Sequence, residues 1–350
     1  MKAILWGAHT AALAADRWPR FTQRPILDGQ QNRHALAALR VITFLLVLTA
    51  ALVAHAAEPL AESPGWYRAQ IGRITVTALW DGTLDMPVTE VFKKPGPAKL
   101  KALLARHYLT PAMPMSVNAF VIDTGQRIVM IDTGTGASKM FGDKLGHVLT
   151  NLRAAGYTPE QVDEIYLTHM HTDHVGGLTV DGKAVYPNAV VRADAREAGH
   201  YLSREKMAAS KGDAEDFESA MAMLDPYVKS GRFKPFDGRT ELVPGVRAEP
   251  AAGHTPGHTV YVVQSEGEKL ILWGDLMHVA AVQFPLPAAT VVFDAMPAQS
   301  KANRERIYRE AAREGEWVAA AHVGFPGVGK LWADGEGGYA WVPMSLVRGH

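Results

Sequence analysis

Apolar and polar residues alternate along four stretches near the start of the folded part of the chain. Trp66 to Ile71 and Ile74 to Trp80 alternate around Gly72-Arg73, which predicts a β-hairpin, because successive side chains of a strand point to opposite faces. Ser116 to Asp123 and Ile128 to Ile131 show the same alternation. The pattern therefore predicts two pairs of strands at the start of the domain.

After these strands, the spacing of apolar residues is that of helices, with short apolar strands between them. Leu145 to Ala155 has the spacing of a helix that ends at Gly156, and Thr158-Pro159-Glu160 predicts another short helix with proline in its first turn. Glu164 to Leu167 is typical of a buried strand. Three further elements are predicted downstream: a strand at Ala189 to Ala193 and helices at Arg196 to Leu202 and Ala214 to Leu224.

The second half of the chain repeats this order of strands and helices. Strands in groups with helices between them, twice over, indicate an α/β protein of the αββα type, in which helices cover two packed mixed sheets. No linker rich in Pro, Gly or Ser divides residues 57–350, so we treat them as a single domain. The elements predicted here are strands at Val246 to Glu249, Thr259 to Gln264, Lys269 to Trp273 and Trp317 to Ala321, a helix at Pro297 to Glu314 closed by Gly315, and a terminal hairpin or loop from Lys330.

The first 56 residues carry six basic and two acidic side chains and contain an apolar run from Val41 to Val53. This run is too short to span a bilayer comfortably, and Ala54-His55-Ala56-Ala57 after it is typical of a cleavage site. We interpret residues 1–56 as a signal peptide with an extended basic region, cleaved after Ala56. The interpretation predicts a periplasmic or secreted protein without stable membrane insertion, and its alternative is an uncleaved N-terminal anchor.

Composition and charge exclude several classes of chemistry. The chain holds 36 basic and 36 acidic residues, so the part after residue 56 is mildly acidic, with 30 against 34. Nucleic-acid recognition depends on clustered positive charge, and we therefore expect no nucleic-acid partner. The chain has no cysteine, which excludes disulfides, thiolate metal sites and cysteine nucleophiles. Its chemistry must use histidines, carboxylates, hydroxyls or a bound metal.

The segment from Thr168 to His174 holds three imidazoles and a carboxylate directly after an apolar strand. His169 and His171 can point the same way as alternate residues, and Asp173 projects from the next turn beside His174. This arrangement offers each of two cations at least two ligands, and imidazole with carboxylate suits zinc. The competing interpretation is a solvated histidine-rich loop.

The motif His169-x-His171-x-Asp173-His174, followed by Gly176-Gly177, resembles the signature of the metallo-β-lactamase-fold hydrolases. Four further motifs of this family lie along the chain, in the same order as in the family. The resemblance implies the αββα metallo-β-lactamase sandwich and a binuclear metal-dependent hydrolase. The other matching motifs are Asp132-Thr133-Gly134, His254-Thr255-Pro256-Gly257-His258, Gly274-Asp275 and His322.

The resemblance also implies a complete ligand set for two divalent metal ions, with zinc the expected metal. A hydroxide between the two ions would attack the substrate, which makes Asp275 a catalytic candidate as the bridging ligand. The implied sets are His169, His171 and His254 for one ion, Asp173, His174 and His322 for the other, Asp275 as the bridge, and Asp132 and His258 as residues that support the ligand loops through hydrogen bonds.

Within this family, the chain is most similar to methyl parathion hydrolase and its aryl-lactonase relatives. The segments that carry this similarity are Gly156 to Tyr166, Tyr186 to Asp194 and Val279 to Phe284. The resemblance implies an apolar, aromatic pocket over the metals and is compatible with a homodimer. The candidate pocket residues are Tyr201, Phe217, Phe284 and Phe293, and each is equally compatible with a place in the core.

His278 and Phe293 occupy places where a small apolar residue would widen the pocket for a tetrahedral phosphorus centre. We therefore expect a small-molecule aryl lactone or ester as substrate, with hydrolysis of organophosphate triesters as a further activity. His278 is expected to donate a proton near the departing oxygen, unless it serves only in packing. Asp173 and the bridge at Asp275 argue against the β-lactamase branch. The other open hypotheses are a phosphotriesterase as main activity, an iron-dependent oxidoreductase and a non-catalytic metal protein.

Overall fold

A computed structural model describes residues 64–210, 212 and 214–344 of the chain. These described residues form one compact unit. The predicted signal peptide and its cleavage site lie outside the described residues. Within the described part, no helix is both long and apolar enough to cross a membrane.

The first sheet has six strands and begins with the two predicted strand pairs. The hairpin pairs Trp66 with Leu79 and Ile71 with Ile74, so the alternation around Gly72-Arg73 is confirmed. The last three strands run parallel, which makes the sheet mixed. In the order β1-β2-β3-β4-β5-β8, the strands are β1 (Trp66–Ile71), β2 (Ile74–Pro87), β3 (Ala112–Asp123), β4 (Ile128–Ile131), β5 (Glu164–Tyr166) and β8 (Val190–Arg192).

Strands β2 and β3 are longer than the alternation predicts. The expected end of β2 at Trp80 is wrong, because the pairing register shifts between Trp80 and Gly82 and the strand continues to Pro87. Gly82 has a φ of +137°, and a Cβ atom there would lie 1.9 Å from the carbonyl oxygen of Lys144. The bulge thus needs glycine, and the extension carries β2 to the edge of the cavity described below.

The second sheet has seven strands and is also mixed, since β12 and β13 are parallel while the other pairs are antiparallel. The hairpin predicted from Lys330 is present, formed by the last two strands. In the order β15-β14-β13-β12-β11-β10-β9, the strands are β9 (Thr240–Val243), β10 (Val246–Pro250), β11 (Thr259–Ser265), β12 (Glu268–Leu272), β13 (Trp317–Ala319), β14 (Val328–Ala333) and β15 (Tyr339–Pro343). A separate small hairpin joins β6 (Thr179–Val180) to β7 (Lys183–Ala184).

Helices cover the outer faces of both sheets. The predicted helix from Pro297 to Glu314 is present and ends at Gly315, whose φ of +63° is the left-handed geometry of a helix C-terminus. The helix predicted from Leu145 begins at Val148, because the Asp81 carboxylate accepts the backbone N–H of Val148 and fixes the start there. The helices are α1 (Val88–Val91), α2 (Pro97–Ala105), α3 (Val148–Ala154), α4 (Thr172–Val175), α5 (Ala195–Tyr201), α6 (Arg204–Ala209), α7 (Ala214–Lys229), α8 (Ala280–Gln283) and α9 (Pro297–Glu314).

The main core lies between the two sheets. Ile122 and Tyr166 of the first sheet pack in one buried cluster with Tyr261, Val263 and Leu272 of the second. Each fully buried aliphatic side chain of this kind contributes about 1.5–3 kcal/mol, so the sheets are held together mainly by apolar burial. Separate clusters lie under α3 and α7 on one side and under α9 on the other. The molecule is therefore layered helix, sheet, sheet, helix, and the predicted αββα class is confirmed.

Candidate metal centre

The predicted ligands all follow strands that end at one edge of the two sheets. His169 to His174 come directly after β5 and run into α4, and His254 lies in the loop between β10 and β11. Asp275 occupies the turn after β12, and His322 follows β13. Because β5, β12 and β13 lie in parallel pairs, their carboxyl ends bring these loops to the same side of the sandwich.

Three imidazoles form the first ligand set. The Nδ1 atom of His171 lies 3.0 Å from Nε2 of His169 and 3.0 Å from Nε2 of His254. These three nitrogens lie within 4.8 Å of one another and face a common point. Such a cluster of imidazole nitrogens is a suitable half-site for zinc.

Two imidazoles and two carboxylates form the second set, which consists of Asp173, His174, Asp275 and His322. Asp275 Oδ1 lies 3.1 Å from Nε2 of His174 and 3.1 Å from Nε2 of His322. Its other oxygen, Oδ2, lies 3.4 Å from Nε2 of His254 in the first set. Oδ2 also lies 3.1 Å from Nε2 of His322, so the carboxylate of Asp275 lies between the two sets, as that of a bridging ligand must.

The donor atoms of this cluster fit a pair of divalent cations. His174 Nε2 and Asp275 Oδ1 are buried and face each other, yet neither makes a hydrogen bond of acceptable geometry within the described residues. Buried polar atoms without a partner are costly, and a cation bound between them would remove that cost. Imidazole and carboxylate are moreover the donors that zinc accepts in binuclear sites.

Burial and charge prepare the two sets differently. Burial lowers the pKa of His169 well below its usual range and that of His254 to about 3, so both rings are neutral and have a free lone pair. For Asp275, burial acts to raise the pKa, but the neighbouring His322 and His174 outweigh it and hold the pKa well below the usual range. His169 and His254 can therefore bind a cation as neutral rings. In the second set, burial acts to lower the pKa of His174 and His322, but Asp275 and the neighbouring carboxylates together outweigh it and raise both, so these rings release a proton when a cation binds.

Every imidazole in the two sets has a partner for its outer nitrogen. Such partners fix the orientation of a ligand ring and raise its basicity. The pairs are His174 Nδ1 with Asp132 Oδ2 at 2.8 Å, His322 Nδ1 with the carbonyl of Ser116 at 2.9 Å, His171 Nε2 with the Tyr201 hydroxyl at 2.8 Å, His169 Nδ1 with Thr168 Oγ1 at 3.1 Å and His254 Nδ1 with Asp294 Oδ1 at 3.4 Å.

Asp132 lies beside the second set. Its carboxylate accepts the backbone N–H and the hydroxyl of Thr168 at 2.8 and 2.7 Å, as well as the Nδ1–H of His174. The residue is buried and does not belong to either ligand set. It joins the start of the histidine loop to a ligand ring, which matches the supporting role that the resemblance implies.

Glu197 holds the loops that carry the first ligand set, as Asp132 holds the loop of the second. Sequence reasoning missed Glu197. From α5, its buried carboxylate accepts the backbone N–H groups of Met170 and Gly257 at 2.9 and 2.8 Å and the hydroxyl of Thr255 at 2.8 Å. A Cβ atom on Gly257 would lie 2.3 Å from the backbone nitrogen of Glu197, so the approach requires glycine. The only sequence signal was an acidic residue in the first turn of a predicted helix.

His258 lies behind Asp275 and outside the ligand sets. Its Nδ1–H donates to the carbonyl of Ala251 at 3.2 Å, and its Nε2 accepts the backbone N–H of Asp275 at 3.0 Å. Burial lowers the pKa of His258 to about 4, which keeps the ring neutral and its Nε2 lone pair available. His258 thus ties the turn that carries Asp275 to the loop that carries His254.

A cavity of about 720 Å³ opens directly over both ligand sets. Tyr201, His278 and Phe293 line it, as the sequence predicts for these three. The rings of His278 and Phe293 are 4.8 Å apart, and His278 Nε2 lies 3.1 Å from Asp275 Oδ2. The described lining residues include no lysine or arginine. Sequence reasoning missed much of the apolar wall, which consists of Leu84, Met86, Met115, Phe141 and Val292.

Phe217 and Phe284 do not line the cavity and lie in the core, which is the alternative that the sequence left open for each. Phe217 faces inward from α7 and packs against Tyr201, with ring centroids 5.0 Å apart. Phe284 follows α8 and stacks on Trp341 at 5.6 Å with an interplanar angle of 6°. Each ring supports a neighbouring layer, because the apolar face of its element points to the core. His200, which belongs to none of the sequence motifs, also lines the cavity.

The sandwich and its two-set centre define a metal-dependent hydrolase. The chain belongs to the metallo-beta-lactamase superfamily, because the model of that family matches residues 112–322. This range begins with β3 and ends at His322, so it contains every residue of both ligand sets.

Two solved structures resemble the chain over nearly their whole length. One is the crystal structure of the hydrolase AbOPH in the beta lactamase superfamily, 34% identical with a TM-score of 0.77, covering 82% of this chain and 99% of that one. The other is AidC, a dizinc quorum-quenching lactonase in complex with a product, 25% identical with a TM-score of 0.74, covering 81% of this chain and 99% of that one.

Curated relatives share a shorter region. An N-acyl homoserine lactonase of Bacillus cereus is 24% identical over 183 residues, which are 47% of this chain and 65% of the lactonase. A ribonuclease of Thermus thermophilus is 29% identical over 209 residues, 58% of this chain and 45% of the ribonuclease. The chain thus spans less than two thirds of each of these relatives.

Proposed function

We propose that this protein is a binuclear, zinc-dependent hydrolase of aryl lactones or esters. The observation that carries the proposal is the position of Asp275, whose carboxylate lies between the two ligand sets on the floor of a cavity with an apolar wall. The similarity to AidC, a dizinc lactonase, supports both the metal and the substrate class. The resemblance to methyl parathion hydrolase and its aryl-lactonase relatives points to an aryl group on the substrate.

The chain supplies three things for this reaction: the metal ligands, an apolar wall that excludes water, and a proton. When bound, two divalent cations lower the pKa of water and polarise a carbonyl oxygen. Met86 and Met115 of the wall hold the apolar arm of the substrate and exclude water from it. His278 holds a proton at Nε2, beside Asp275, and donates it in a hydrogen bond to the departing oxygen of the substrate.

The shape of the wall favours a planar carbonyl group. A lactone or ester has one flat reacting centre, whereas a phosphotriester needs room for three substituents around phosphorus throughout the reaction. His278 and Phe293 pack edge to face, 4.8 Å apart, and fill one side of the cavity over the ligands. We therefore propose that phosphotriester hydrolysis is the lesser activity.

Export and assembly complete the proposal. The basic flank, the apolar run from Val41 to Val53 and the small residues after it support a signal peptide and a periplasmic or secreted enzyme. N-terminal sequencing of the exported protein should begin at Ala57, and recovery of intact protein from the cytoplasm would contradict export. A homodimer is proposed from family resemblance, and light scattering of the purified protein tests it.

A hydrolysis panel on the zinc-reconstituted protein tests the function. It compares aryl lactones, N-acyl homoserine lactones, aryl esters, methyl phosphotriesters, β-lactams and thioesters by kcat/KM, with Asp275→Ala as the inactive control. We expect lactones or aryl esters to lead. A wide preference for the phosphotriester would make this a phosphotriesterase instead. If none of these substrates is hydrolysed while both metals are bound, the result would indicate a non-catalytic metal protein. Oxygen consumption by an iron-loaded form would indicate an oxidoreductase.

A further inference from the structure

Arg304 is a fully buried cation in the interior of the molecule, far along the chain from the ligand motifs. It lies on α9, and its guanidinium donates to three backbone carbonyls, each at 2.7 Å: Nε to Pro287, Nη1 to Leu276 and Nη2 to Ala289. None of the ion pairs among the described residues involves Arg304. Its hydrogen bonds are therefore devoted to one segment of backbone, from Leu276 to Ala289.

Gln283 holds the same segment from the inside. Its side-chain carbonyl accepts the backbone N–H groups of His278 and Val279 at 2.8 and 3.0 Å. Its amide donates to the carbonyl of Ala289 at 3.1 Å, the same oxygen that accepts from Arg304. Gln283 is buried, and both ends of its amide are therefore engaged in shaping this stretch of chain.

The segment held in this way carries His278. It leaves the metal centre at Asp275, passes His278 and returns toward Phe293, and both of these side chains line the cavity. Leu276, bonded to Arg304, is the residue directly after Asp275, and the backbone of His278 is bonded to Gln283. Side-chain hydrogen bonds, together with the start of α8 after Val279, thus fix the backbone on both sides of His278 Cα.

A buried guanidinium whose hydrogen bonds all go to neutral carbonyls is costly for a residue that only packs, and the more distant charges of Asp294 and Glu305 offset only part of that cost. Burial lowers the pKa of Arg304 below its usual range, which reflects the price of keeping the charge away from water. A hydrophobic side chain of similar length would fill the same space at lower cost. The planar fork of arginine, by contrast, can reach three carbonyls in fixed directions.

We propose that Arg304 and Gln283 are positioning residues that hold the backbone of His278 so that its imidazole stays between Asp275 and Phe293. This inference rests on the proposed function, in which His278 donates a hydrogen bond to the departing oxygen. Loss of either support lets the segment relax, and the imidazole leaves the place where the reaction needs it.

The kinetic test uses Arg304→Lys and Gln283→Leu. The matched control is Arg313→Met on the exposed face of α9, where the side chain of Arg313 makes its hydrogen-bonded ion pair with Glu314. Residues that orient an active-site group typically cost about 10- to 100-fold when changed. We expect each test variant to lower kcat by about tenfold or more, with KM nearly unchanged and two zinc ions retained by mass spectrometry. An equal fall in the control, or loss of metal from both test variants, would overturn the proposal.

A double-mutant cycle with His278→Ala shows whether the supports act through His278. In that background, Gln283→Leu and Arg304→Lys should have almost no further effect on kcat, because the residue they position is already gone. The same fold-loss in both backgrounds would overturn the proposal. Gln283→Leu keeps the buried charge of Arg304 in place, so it still provides the test if Arg304→Lys does not fold.

Nitrogen NMR of histidine-labelled, zinc-loaded protein provides a readout that does not depend on activity. The His278 ring signals are those missing from His278→Ala. In Gln283→Leu they should shift or broaden while the signals of the ligand imidazoles remain. Unchanged His278 signals would refute the positioning role whatever the kinetics show. If instead His278→Ala leaves kcat intact, the proposed function of His278 fails, and the NMR result alone then decides the positioning.

Discussion

The floor and the wall of the cavity are built on different physical principles. The floor consists of buried polar side chains, and each ligand imidazole is fixed by a second hydrogen bond on its outer nitrogen. The wall consists of apolar side chains such as Met86, Met115 and Phe293, which are held only by packing. The hydrogen-bond network of the floor tolerates few substitutions, because each bond needs a donor and an acceptor in a fixed direction. The apolar wall can change shape by one methylene group without losing any such bond. We infer that the floor determines the chemistry and the wall selects the substrate.

The largest expected effect comes from removing the bridge of the floor. Asp275→Ala should weaken binding of both metals and reduce kcat/KM by about three orders of magnitude or more, because one carboxylate serves both sets. His322→Ala should weaken mainly the second metal. Mass spectrometry of dialysed protein gives the stoichiometry, and thermal unfolding should show a lower Tm for both variants, since metal binding is linked to folding. Two tightly held ions in Asp275→Ala would contradict the bridging geometry.

A matched pair of substitutions divides the floor into its two halves. Glu197→Gln replaces an acceptor oxygen by an amide that faces donors beside the first set, and Asp132→Asn does the same beside the second. Each should weaken its own metal by about 10- to 100-fold and leave the other nearly unchanged. Chelator competition measures this, with His171→Ala and His322→Ala as references for each half. Equal weakening of both metals by both variants would show that the halves are not independent.

The wall is tested by changing its shape without touching a ligand. His278→Leu together with Phe293→Leu should move the ratio of kcat/KM from the lactone toward the phosphotriester by about 10- to 200-fold. Metal content should stay at two ions, because the resemblance assigns neither side chain as a ligand. Loss of an ion would show that His278, whose ligand nitrogen lies within 4.8 Å of the ligand atoms of His254 and Asp275, is itself a ligand. An unchanged ratio, or an unmutated enzyme that already prefers the phosphotriester by a wide margin, would show that these two residues do not select the substrate.

The smallest effect concerns Tyr227, a buried residue of α7 in the core cluster that also contains Met170 and Val175 of the histidine segment. The Tyr227 hydroxyl donates to the carbonyl of Leu178 at 2.9 Å, and burial raises the pKa of Tyr227 to about 12. Tyr227→Phe should cost about 0.5–1.5 kcal/mol of unfolding free energy near neutral pH, with metal content and substrate ratio unchanged. A change in metal content or in the substrate ratio would show that this core layer also supports the metal ligands.

The same residue gives a pH dependence with a definite sign. An unfolded tyrosine loses its proton near pH 10, whereas folded Tyr227 keeps it to about pH 12. The folded state then binds more protons, so this contribution to stability is complete below about pH 10 and is lost as the pH rises toward 12. Denaturant unfolding at pH 9 and pH 11 should therefore show a smaller loss in Tyr227→Phe than in the unmodified protein. An equal loss in both would contradict the assignment.

Local patterns were sufficient for the elements and ligands that depend on neighbours in the chain. The hairpin around Gly72-Arg73 and the helix from Pro297 to Glu314 follow from alternation, periodicity and glycine placement, and both are present. The histidine loop was recognisable because its four ligand-type residues lie within six positions. The extension of β2 beyond Trp80 was not, because the bulge that permits it depends on contact with Lys144, 62 residues away.

What the sequence determined by itself was the fold class and the chemistry of the ligand set, since residue type and spacing along one strand or loop carry that information. Tertiary structure alone decided which aromatic rings reach the cavity: Phe293 does, while Phe217 and Phe284 pack in the core. It alone assigned Glu197, Asp294 and Arg304 to the loops they hold, because each acts on backbone or side chains far away in sequence. Hydrogen bonds across such separations leave no periodic trace along the chain, and they exist only once the two sheets have packed.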